Sequence, residues 1–235
     1  MRISRSNWIM ILYILFLMLP IYWLVNMSLK SNSEILNSFT LWPRDLTFDN
    51  YLTILTDASW YSGYINSIIY VVMNTVISLA VALPAAYAFS RFKVPLKDDL
   101  LFFILSTRMM PPIAVAIPIF LMFRNLGLND THLGMILLYT AVNLSLSVWL
   151  LKGFIDEIPI EYEEAALIDG YTRFQAFYKV VLPQAATGIA STAIFCLIFA
   201  WNEYAFAVLL TSGTAQTAPP FIPTIIGTSG KDWPA

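Results

Sequence analysis

The sequence is poor in the residues on which metal and enzyme sites depend. Its 235 residues include one cysteine, Cys196, and one histidine, His132. A single cysteine excludes a disulfide within the chain, and zinc sites built from clustered cysteine and histidine are excluded with it. His132 lies in a polar turn and is interpreted as a solvated loop histidine, because no neighbour in sequence would make it a ligand or a base. We therefore expect neither a metal site nor a catalytic residue in this chain.

Charged residues are also few. Only 12% of the residues are Asp, Glu, Lys or Arg, whereas a soluble domain has about 25%. Hydrophobic residues make up 58% of the chain and its mean hydropathy is +0.69. So apolar a composition indicates a membrane protein. The net charge of −2 argues against a nucleic-acid partner, because such a partner requires a basic face.

Long apolar runs predict the fold class. A membrane-spanning helix needs about 20 mostly apolar residues. Five runs meet or approach that length, at residues 8–25, 65–88, 100–123, 134–151 and 185–210. We therefore predict an all-α, polytopic transmembrane helical bundle that forms a single domain over residues 1–235. The third run is unusual, because it carries Arg108 and then prolines at 111, 112 and 118.

The first run has a short basic lead but no small-residue cleavage site after it, so it is interpreted as a retained span rather than a signal peptide. Residues 28–64 are polar and aromatic, with Trp42, Tyr51 and Trp60 among them. Trp and Tyr prefer the membrane–water interface. This segment is therefore predicted to be a folded external loop that lies partly at the interface.

Basic residues in short loops predict the orientation of the bundle. With a cytoplasmic N-terminus, eight basic residues fall in the inner segments: Arg2, Arg5, Arg91, Lys93, Lys97, Lys152, Arg173 and Lys179. Four fall in the outer segments: Lys30, Arg44, Arg124 and Lys231. The excess favours an N-terminus inside the cell, and the same choice puts residues 152–184 in the cytoplasm.

Residues 152–184 form a polar interlude between two apolar runs, and two short helices are predicted in it. Pro159 suits a first helical turn, and Gly170 is the residue best able to end that helix in a left-handed conformation. Thr172 and Gln175 have the spacing of a capping box, which predicts the start of a second helix. That helix carries apolar residues at i, i+3, i+4 and i+7, which predicts one apolar face before Pro183 ends or kinks it: Phe174, Phe177, Tyr178 and Val181.

The order Glu164-Ala165-Ala166, three residues, Gly170, nine residues, Val180, one residue and Leu182-Pro183 resembles the signature loop of a known family. The family is that of the membrane subunits, or permeases, of binding-protein-dependent ABC importers. The resemblance implies that residues 152–184 are a cytoplasmic coupling-helix loop that seats in a groove of the ATPase. The alternative is an ordinary helix–turn–helix connection between two spans.

The resemblance also implies which side chains contact the ATPase. Those residues are Glu164, Ala165, Ala166, Asp169, Gly170, Phe174 and Phe177. Small alanines allow a close approach, and Phe174 and Phe177 would anchor either in the ATPase groove or against this subunit's own helices. The neighbouring acidic residues are interpreted as a solvated face: Asp156, Glu157, Glu161 and Glu163.

Three further stretches are similar to the carbohydrate-uptake, maltose-type branch of that family. They are Phe89-Ser90-Arg91-Phe92, Arg108-Met109-Met110-Pro111-Pro112 and Trp201-Asn202-Glu203. Within the branch, the second stretch is similar to subunits that import polyols and small glycosides. The resemblance therefore implies that this chain is a transmembrane subunit of an ATP-driven sugar importer and forms half of its translocation path.

The same resemblance implies the surroundings of the chain. Its expected partners are a homologous permease subunit, two cytoplasmic ATPase subunits, an external sugar-binding protein and the lipid bilayer of a prokaryotic plasma (inner) membrane. ATP and Mg²⁺ are expected in the ATPase subunits and no cofactor in this chain. The stretch 227–232 lacks the spacing of a phosphate-binding loop. A sixth helix is expected beyond residue 235, with residues 231–234 as its external approach.

Polar residues inside the spans are the candidates for the translocation path, because a charge at mid-bilayer costs roughly 2.5–3.5 kcal/mol on insertion scales and usually faces protein or water. They are Arg108, Asn143, Ser145, Trp201, Asn202, Glu203 and Tyr204. Arg108 is interpreted as a path residue or as part of a stabilising ion pair. The group around Glu203 would hold a sugar or form an interfacial aromatic belt. For Asn143 and Ser145, hydrogen bonding between helices is the favoured role.

Two other classes of protein remain as alternatives. An ion-coupled secondary transporter or channel subunit would also be all helix, with Arg108 and Glu203 as ion sites. It would not use an ATPase-docking loop, and no repeat between the two halves is evident. An intramembrane enzyme is disfavoured, because one histidine leaves little for a metal site or a serine–histidine pair.

Overall fold

The fold is described from a computed structural model, which describes residues 5–228. These residues form helices and turns and contain no β-strand. The helices are α1 Arg5–Ser28, α2 Asn32–Asn37, α3 Asp49–Thr56, α4 Ala58–Arg91, α5 Lys97–Met109, α6 Pro112–Asn125, α7 His132–Asp156, α8 Glu161–Ile168, α9 Arg173–Ala176, α10 Leu182–Gln184, α11 Ala186–Trp201, α12 Ala205–Leu210 and α13 Ala218–Thr228. A π-helical segment, Phe177–Val181, joins α9 to α10. The expected approach to a sixth helix at 231–234 lies outside the described residues.

Three helices are long and apolar enough to cross a membrane: Trp8–Ser28, Tyr61–Arg91 and His132–Asp156. Two bent pairs pass the same test when each is taken together, which gives up to five spans among the described residues. All-helical structure and these spans agree with the predicted fold class. The first, second and fourth predicted runs lie within α1, α4 and α7, and each of these helices extends beyond the predicted ends.

The third and fifth predicted runs are each divided into two helices in the structure. The third breaks at Met110 and Pro111, and α5 meets α6 at 92°. Pro111 lacks an N–H and Pro112 cannot continue the preceding helix, so the chain restarts with Pro112 in the first turn of α6. The fifth run ends as a helix at Trp201 and resumes as α12 at Ala205.

The described chain divides into two compact units. The first holds residues 5–62 and 222–228. In it, the chain after α1 folds back on the end of that helix: Asn26 donates to the Leu41 carbonyl at 2.5 Å, and the buried Lys30 amine donates to the Thr40 carbonyl at 2.6 Å. Trp23 stacks on Phe39 with ring centres 5.1 Å apart. The segment predicted as a folded loop is therefore folded.

The second unit holds residues 63–221 and is organised around α7. One apolar cluster joins α4, α6, α7, α11 and α12, and it includes Tyr70, Phe123 and Tyr139. A second cluster joins α4 and α7 to the segment after α9, and it includes Leu151 and Val181. Between the two clusters along α4 and α7 lies a layer of buried polar residues: Asn74, Ser78, Asn143 and Ser147.

Asp130 ties the loop between α6 and α7 to the loop after α12. Its carboxylate accepts four backbone N–H groups, from Ser212, Gly213, Thr214 and Ala215, each at 3.2 Å. Burial raises the pKa of Asp130, but these four donors outweigh it and hold the pKa below its ordinary value. The carboxylate is thus charged at neutral pH and fixes the chain next to α12, which packs on α6.

His132 is exposed, as predicted, but it is on a helix and not in a loop. It begins α7, and its Nδ1 forms a 2.7 Å hydrogen bond with the Tyr70 hydroxyl. Part of the polar, proline-rich stretch after Thr211 forms α13, Ala218–Thr228, with two prolines in its first turn, where the missing N–H groups are tolerated.

Candidate functional site

The first half of the predicted coupling segment is a two-turn helix closed by a left-handed glycine. Helix α8 ends at Ile168, and Gly170 has φ of +91°. The Gly170 N–H donates to the Leu167 carbonyl at 3.1 Å and the Tyr171 N–H to the Ala166 carbonyl at 3.0 Å. This is the pair of hydrogen bonds of a Schellman motif. The prediction that the helix stops at Gly170 in this conformation is confirmed.

The second half starts as the sequence predicts and then departs from it. Thr172 and Gln175 form both hydrogen bonds of a capping box, which confirms that prediction. The predicted apolar face is wrong, because the chain widens into a π-helix at Phe177 and the α-helical spacing is lost. Phe174, in α9, is 75% exposed and Tyr178 is exposed, whereas Val181 is fully buried. At Pro183 the chain turns, and Arg173–Gln184 meets α11 at 73°.

The predicted ATPase-contact residues divide into an outward and an inward set. Glu164, Ala165, Asp169 and Gly170 are exposed on α8 and the turn that follows it. Ala166 is buried inside the chain itself, so of the alanine pair only Ala165 is open to a partner. Ile168, which sequence reasoning did not single out, is the most exposed apolar side chain of the segment at 86%.

The two phenylalanines have different surroundings. Phe177 packs on Tyr87 of α4, with ring centres 4.7 Å apart, and belongs to the second apolar cluster. Phe174 projects from α9 without such cover. Of the two alternatives given for these residues, the contact with the subunit's own helices therefore applies to Phe177, and Phe174 remains available to a partner.

Glu163 corrects the prediction of a solvated acidic face. Its side chain is 6% exposed and forms an ion pair with the Nε of Arg91, at the end of α4. The Tyr87 hydroxyl donates to the other carboxylate oxygen at 2.8 Å. Asp156 is also engaged, with Ser90 and Lys152 each 2.5 Å from its carboxylate. Glu157 and Glu161 are exposed.

Arg108 lies near the end of α5, where the helix breaks. Its guanidinium donates to the Val142 carbonyl at 3.0 Å and to the Asn143 side chain at 3.4 Å, both on α7. It also lies over the ring of Phe199 on α11, 4.2 Å from the ring centre. Arg108 thus joins three helices at the level of the break.

A cavity of about 820 Å³ opens beside the break between α5 and α6. Its wall is mostly apolar, and the polar residues in it are Thr107, Arg108, Ser145 and Glu203. Three of the predicted path residues, Arg108, Ser145 and Glu203, therefore share one cavity. Their sequence spacing of 37 and 58 residues did not indicate this, because they lie on three different segments: the end of α5, the middle of α7 and the break after α11.

The remaining predicted path residues have other surroundings. The Glu203 carboxylate accepts the Phe206 N–H at 2.9 Å and so caps α12. Trp201, Asn202 and Tyr204 lie at the same helix break and are exposed, and the Asn202 amide donates to the Ile198 carbonyl at 2.7 Å. The predicted path residues therefore form two groups: Arg108, Ser145 and Glu203 line one mostly apolar cavity, and Trp201, Asn202 and Tyr204 are exposed at the helix break.

Asn143 and Ser145 connect helices. The Asn143 amide donates to Asn74 of α4 at 3.2 Å and to the Cys196 carbonyl of α11 at 3.3 Å. Ser145 and Thr107 of α5 share a 3.0 Å hydrogen bond. Both geometries are those of interhelical hydrogen bonds.

Helical spans, a broken third span and a segment of short helices between two spans are the features of a polytopic integral membrane protein. Residues 78–229 match the family described as the binding-protein-dependent transport system inner membrane component. The chain is 39% identical over 218 residues to the trehalose transport system permease protein SugB of Mycobacterium tuberculosis, covering 92% of this chain and 79% of that protein. It is 33% identical to the diacetylchitobiose uptake system permease protein NgcG of Streptomyces coelicolor, covering 88% and 68%.

A solved structure agrees with these relatives. A bacterial ABC transporter involved in the import of the acidic polysaccharide alginate contains a chain that matches with a TM-score of 0.78 and 28% identity, covering 96% of this chain and 83% of that one. This chain belongs to the family of binding-protein-dependent ABC importer permeases. Permeases of this family are not enzymes, and the ATPase is a separate subunit, so the chain works with other components of the importer.

The burial of two residues of the segment was not predicted from the sequence. Glu163 and Ala166 are three residues apart and share the inward side of α8, but a glutamate one position from an exposed glutamate gives no sign of burial. Arg91, the ion-pair partner of Glu163, lies 72 residues earlier, in a stretch whose sequence predicts a loop. Only the approach of α4 to α8 identifies the pair.

Proposed function

We propose that this chain is one of two homologous membrane subunits of an ATP-driven importer for a small glycoside. Its relatives are permeases for trehalose and diacetylchitobiose, which supports a carbohydrate substrate of that size. The chain forms half of the translocation path. ATP and Mg²⁺ are bound by two ATPase subunits, and an external binding protein delivers the sugar. The machine lies in a prokaryotic plasma membrane with the N-terminus of this chain in the cytoplasm.

The observation that carries the proposal is the exposed surface of residues 164–174. Glu164, Ile168 and Phe174 are exposed on two short helices that are held at a fixed angle by the Schellman turn and the capping box. An exposed apolar pair next to a carboxylate is the composition of a protein–protein contact, with anchors for a pocket and one charge for specificity. This surface is the proposed ATPase contact, and it faces the cytoplasm.

Phe174 provides a direct test of this contact. Phe174→Ser is expected to weaken retention of the ATPase by about 30-fold, the effect of losing an anchor worth about 2 kcal/mol. The permease itself should keep its melting temperature, because this side chain is 75% exposed. The measurement is co-purification of the ATPase with the permease in detergent, over a range of ATPase concentrations.

Phe39→Ser is the control for ATPase retention only, since Phe39 is 81% exposed and lies on the loop predicted to be external, but its ring stacks on Trp23. It should leave ATPase retention unchanged. Phe177→Ser should instead lower the melting temperature, because Phe177 packs on Tyr87. Retention of the ATPase at the unaltered level by Phe174→Ser would contradict the proposed contact.

Arg108 is the proposed path residue. Its side chain lines the cavity together with Thr107, Ser145 and Glu203. Only its Nη1 atom bonds Val142 and Asn143, so the other N–H groups of the guanidinium can donate to sugar hydroxyls. Arg108→Met is expected to raise the sugar concentration for half-maximal uptake about tenfold or more, because hydrogen bonds to a charged group contribute about 1.5–3 kcal/mol. The measurement is uptake of labelled sugar into proteoliposomes.

Thr140→Val serves as the control for Arg108→Met. The Thr140 hydroxyl bonds only to the Ile136 carbonyl of its own helix among the hydrogen bonds described, so its loss should change uptake less than twofold. If Arg108→Met lowers the melting temperature but leaves the concentration dependence of uptake unchanged, Arg108 only joins helices.

A further inference from the structure

The end of α4 contacts the coupling segment, residues 152–184, at several points. The Nε of Arg91 pairs with Glu163 of α8, and the Nη2 of Arg91 donates to the Ile158 carbonyl at 2.8 Å. One turn earlier on α4, the Tyr87 hydroxyl donates to the second oxygen of Glu163 at 2.8 Å. Both carboxylate oxygens therefore have a donor, and the guanidinium is bound from two directions.

The pair is enclosed by protein. The Arg91 and Glu163 side chains are 8% and 6% exposed, although Arg91 belongs to a predicted short loop and Glu163 to a helix face predicted to be solvated. A second connection lies beside it, where the Ser90 hydroxyl donates to Asp156 at 2.5 Å. The Tyr87 ring also packs on Phe177, so α4 contacts the coupling segment before and after the turn at Gly170.

The backbone alone would not hold α8 in place. Helix α7 ends at Asp156, residues 157–160 are not helical, and α8 begins at Glu161. A force applied to the exposed side of α8 would bend this short connection. The Arg91–Glu163 pair is a second connection beside the backbone. It joins α8 to the end of α4, the longest apolar helix among the described residues.

We propose that Arg91 and Glu163 are positioning residues that form a strut, by which movement of α8 is carried to α4. This inference rests on the proposed function, because it assumes that the ATPase moves α8. Stability is not the contribution of the strut: a buried ion pair is often no more stabilising than a well-packed apolar pair, whereas loss of one partner leaves an uncompensated charge. What the ion pair adds is a single fixed geometry between the two helices.

The test uses the complete importer, with its partner permease, ATPase and binding protein, in proteoliposomes. Three variants form a graded series: Tyr87→Phe, Glu163→Gln, and the double variant Arg91→Met with Glu163→Leu. The readout is the number of ATP molecules hydrolysed per sugar transported. We expect this ratio to rise in that order, by about fivefold or more in the double variant, the lower bound of typical coupling effects.

Two parallel measurements separate coupling from folding and from docking. The double variant should lose only a few degrees of melting temperature, because no charge is left unpaired although the Tyr87 hydroxyl and the Ile158 carbonyl each lose a partner, and all variants should retain the ATPase. Glu161→Gln, on the exposed side of the same helix, should leave the ATP-to-sugar ratio unchanged. If the double variant does not fold, Tyr87→Phe decides the question, since it removes one hydrogen bond and keeps the ring on Phe177.

An unchanged ratio in a folded double variant, or in Tyr87→Phe when the double variant does not fold, would overturn the strut. Loss of ATPase retention by Glu163→Gln would overturn it as well, because the residue would then act in docking. Failure of the proposed function looks different: the unaltered chain would itself retain no ATPase.

Discussion

Gly170→Val is expected to reduce sugar uptake at least tenfold while leaving membrane insertion and permease abundance unchanged. Gly170 has φ of +91°, a conformation that costs roughly 1–2 kcal/mol for an ordinary side chain and more for a β-branched one. No atom lies within 4 Å of the position that a Cβ would take, so the effect comes from the backbone and not from a clash. To relieve the strain the Schellman turn must open, and α8 and α9 then lose their fixed angle.

The chain contains a matched control for this substitution. Gly127 has φ of +66°, also has no atom within 4 Å of where a Cβ would stand, and lies in the loop between α6 and α7. Gly127→Val therefore introduces comparable backbone strain at a turn outside the coupling segment. Uptake should fall in Gly170→Val and stay within about twofold in Gly127→Val, measured with labelled sugar at equal permease levels. Normal uptake by Gly170→Val, or equal losses in both variants, would contradict the role of the turn.

Gly188→Val is expected to produce the largest loss of stability among single substitutions considered for this chain. Gly188 lies on α11, and a Cβ there would stand 2.3 Å from Cγ and 2.6 Å from Cβ of Phe154 on α7. These atoms are at the base of the phenylalanine, so a rotamer change of the ring tip cannot relieve the contact. Overpacking of this kind costs about 1–3 kcal/mol, which exceeds the roughly 0.5–1 kcal/mol gained when glycine is replaced in a helix.

The measurement for Gly188→Val is the melting temperature in detergent, which should fall by several degrees. Adding Phe154→Ala should restore part of it, since truncation of the ring leaves room for the new side chain. Gly153→Ala is the control on the facing helix: nothing lies within 4 Å of its Cβ, so it should be neutral or slightly stabilising. A melting temperature unchanged by Gly188→Val would show that α7 and α11 do not approach as closely as described.

The local features of the coupling segment were predictable because they depend on residues close in sequence. A capping box needs only Thr172 and Gln175, three positions apart, and a left-handed helix end needs only the glycine that tolerates it. The π-helical widening at Phe177 was not predictable. It is accommodated by burial of Val181 and by the ring contact with Tyr87, and both are set by helices distant in sequence.

The broken third span shows a similar division. Pro111 and Pro112 mark the place where a helix must stop, and the sequence pointed to that place. The sequence could not predict the 92° angle between α5 and α6, because that angle depends on what the two helices pack against. Nor could it predict that Arg108, Ser145 and Glu203 line one cavity.

By itself, the sequence determined that this is a helical membrane protein with an ABC-permease coupling loop, because hydropathy, proline positions and capping residues act over one or a few turns of chain. Only the tertiary structure decided which charged side chains are buried. Glu163 and Glu164 are neighbours with the same chemistry, and one is enclosed while the other is exposed. The physical reason is that a carboxylate is buried only where donors meet it, and here Arg91 and Tyr87 arrive from a helix more than 70 residues away in the chain.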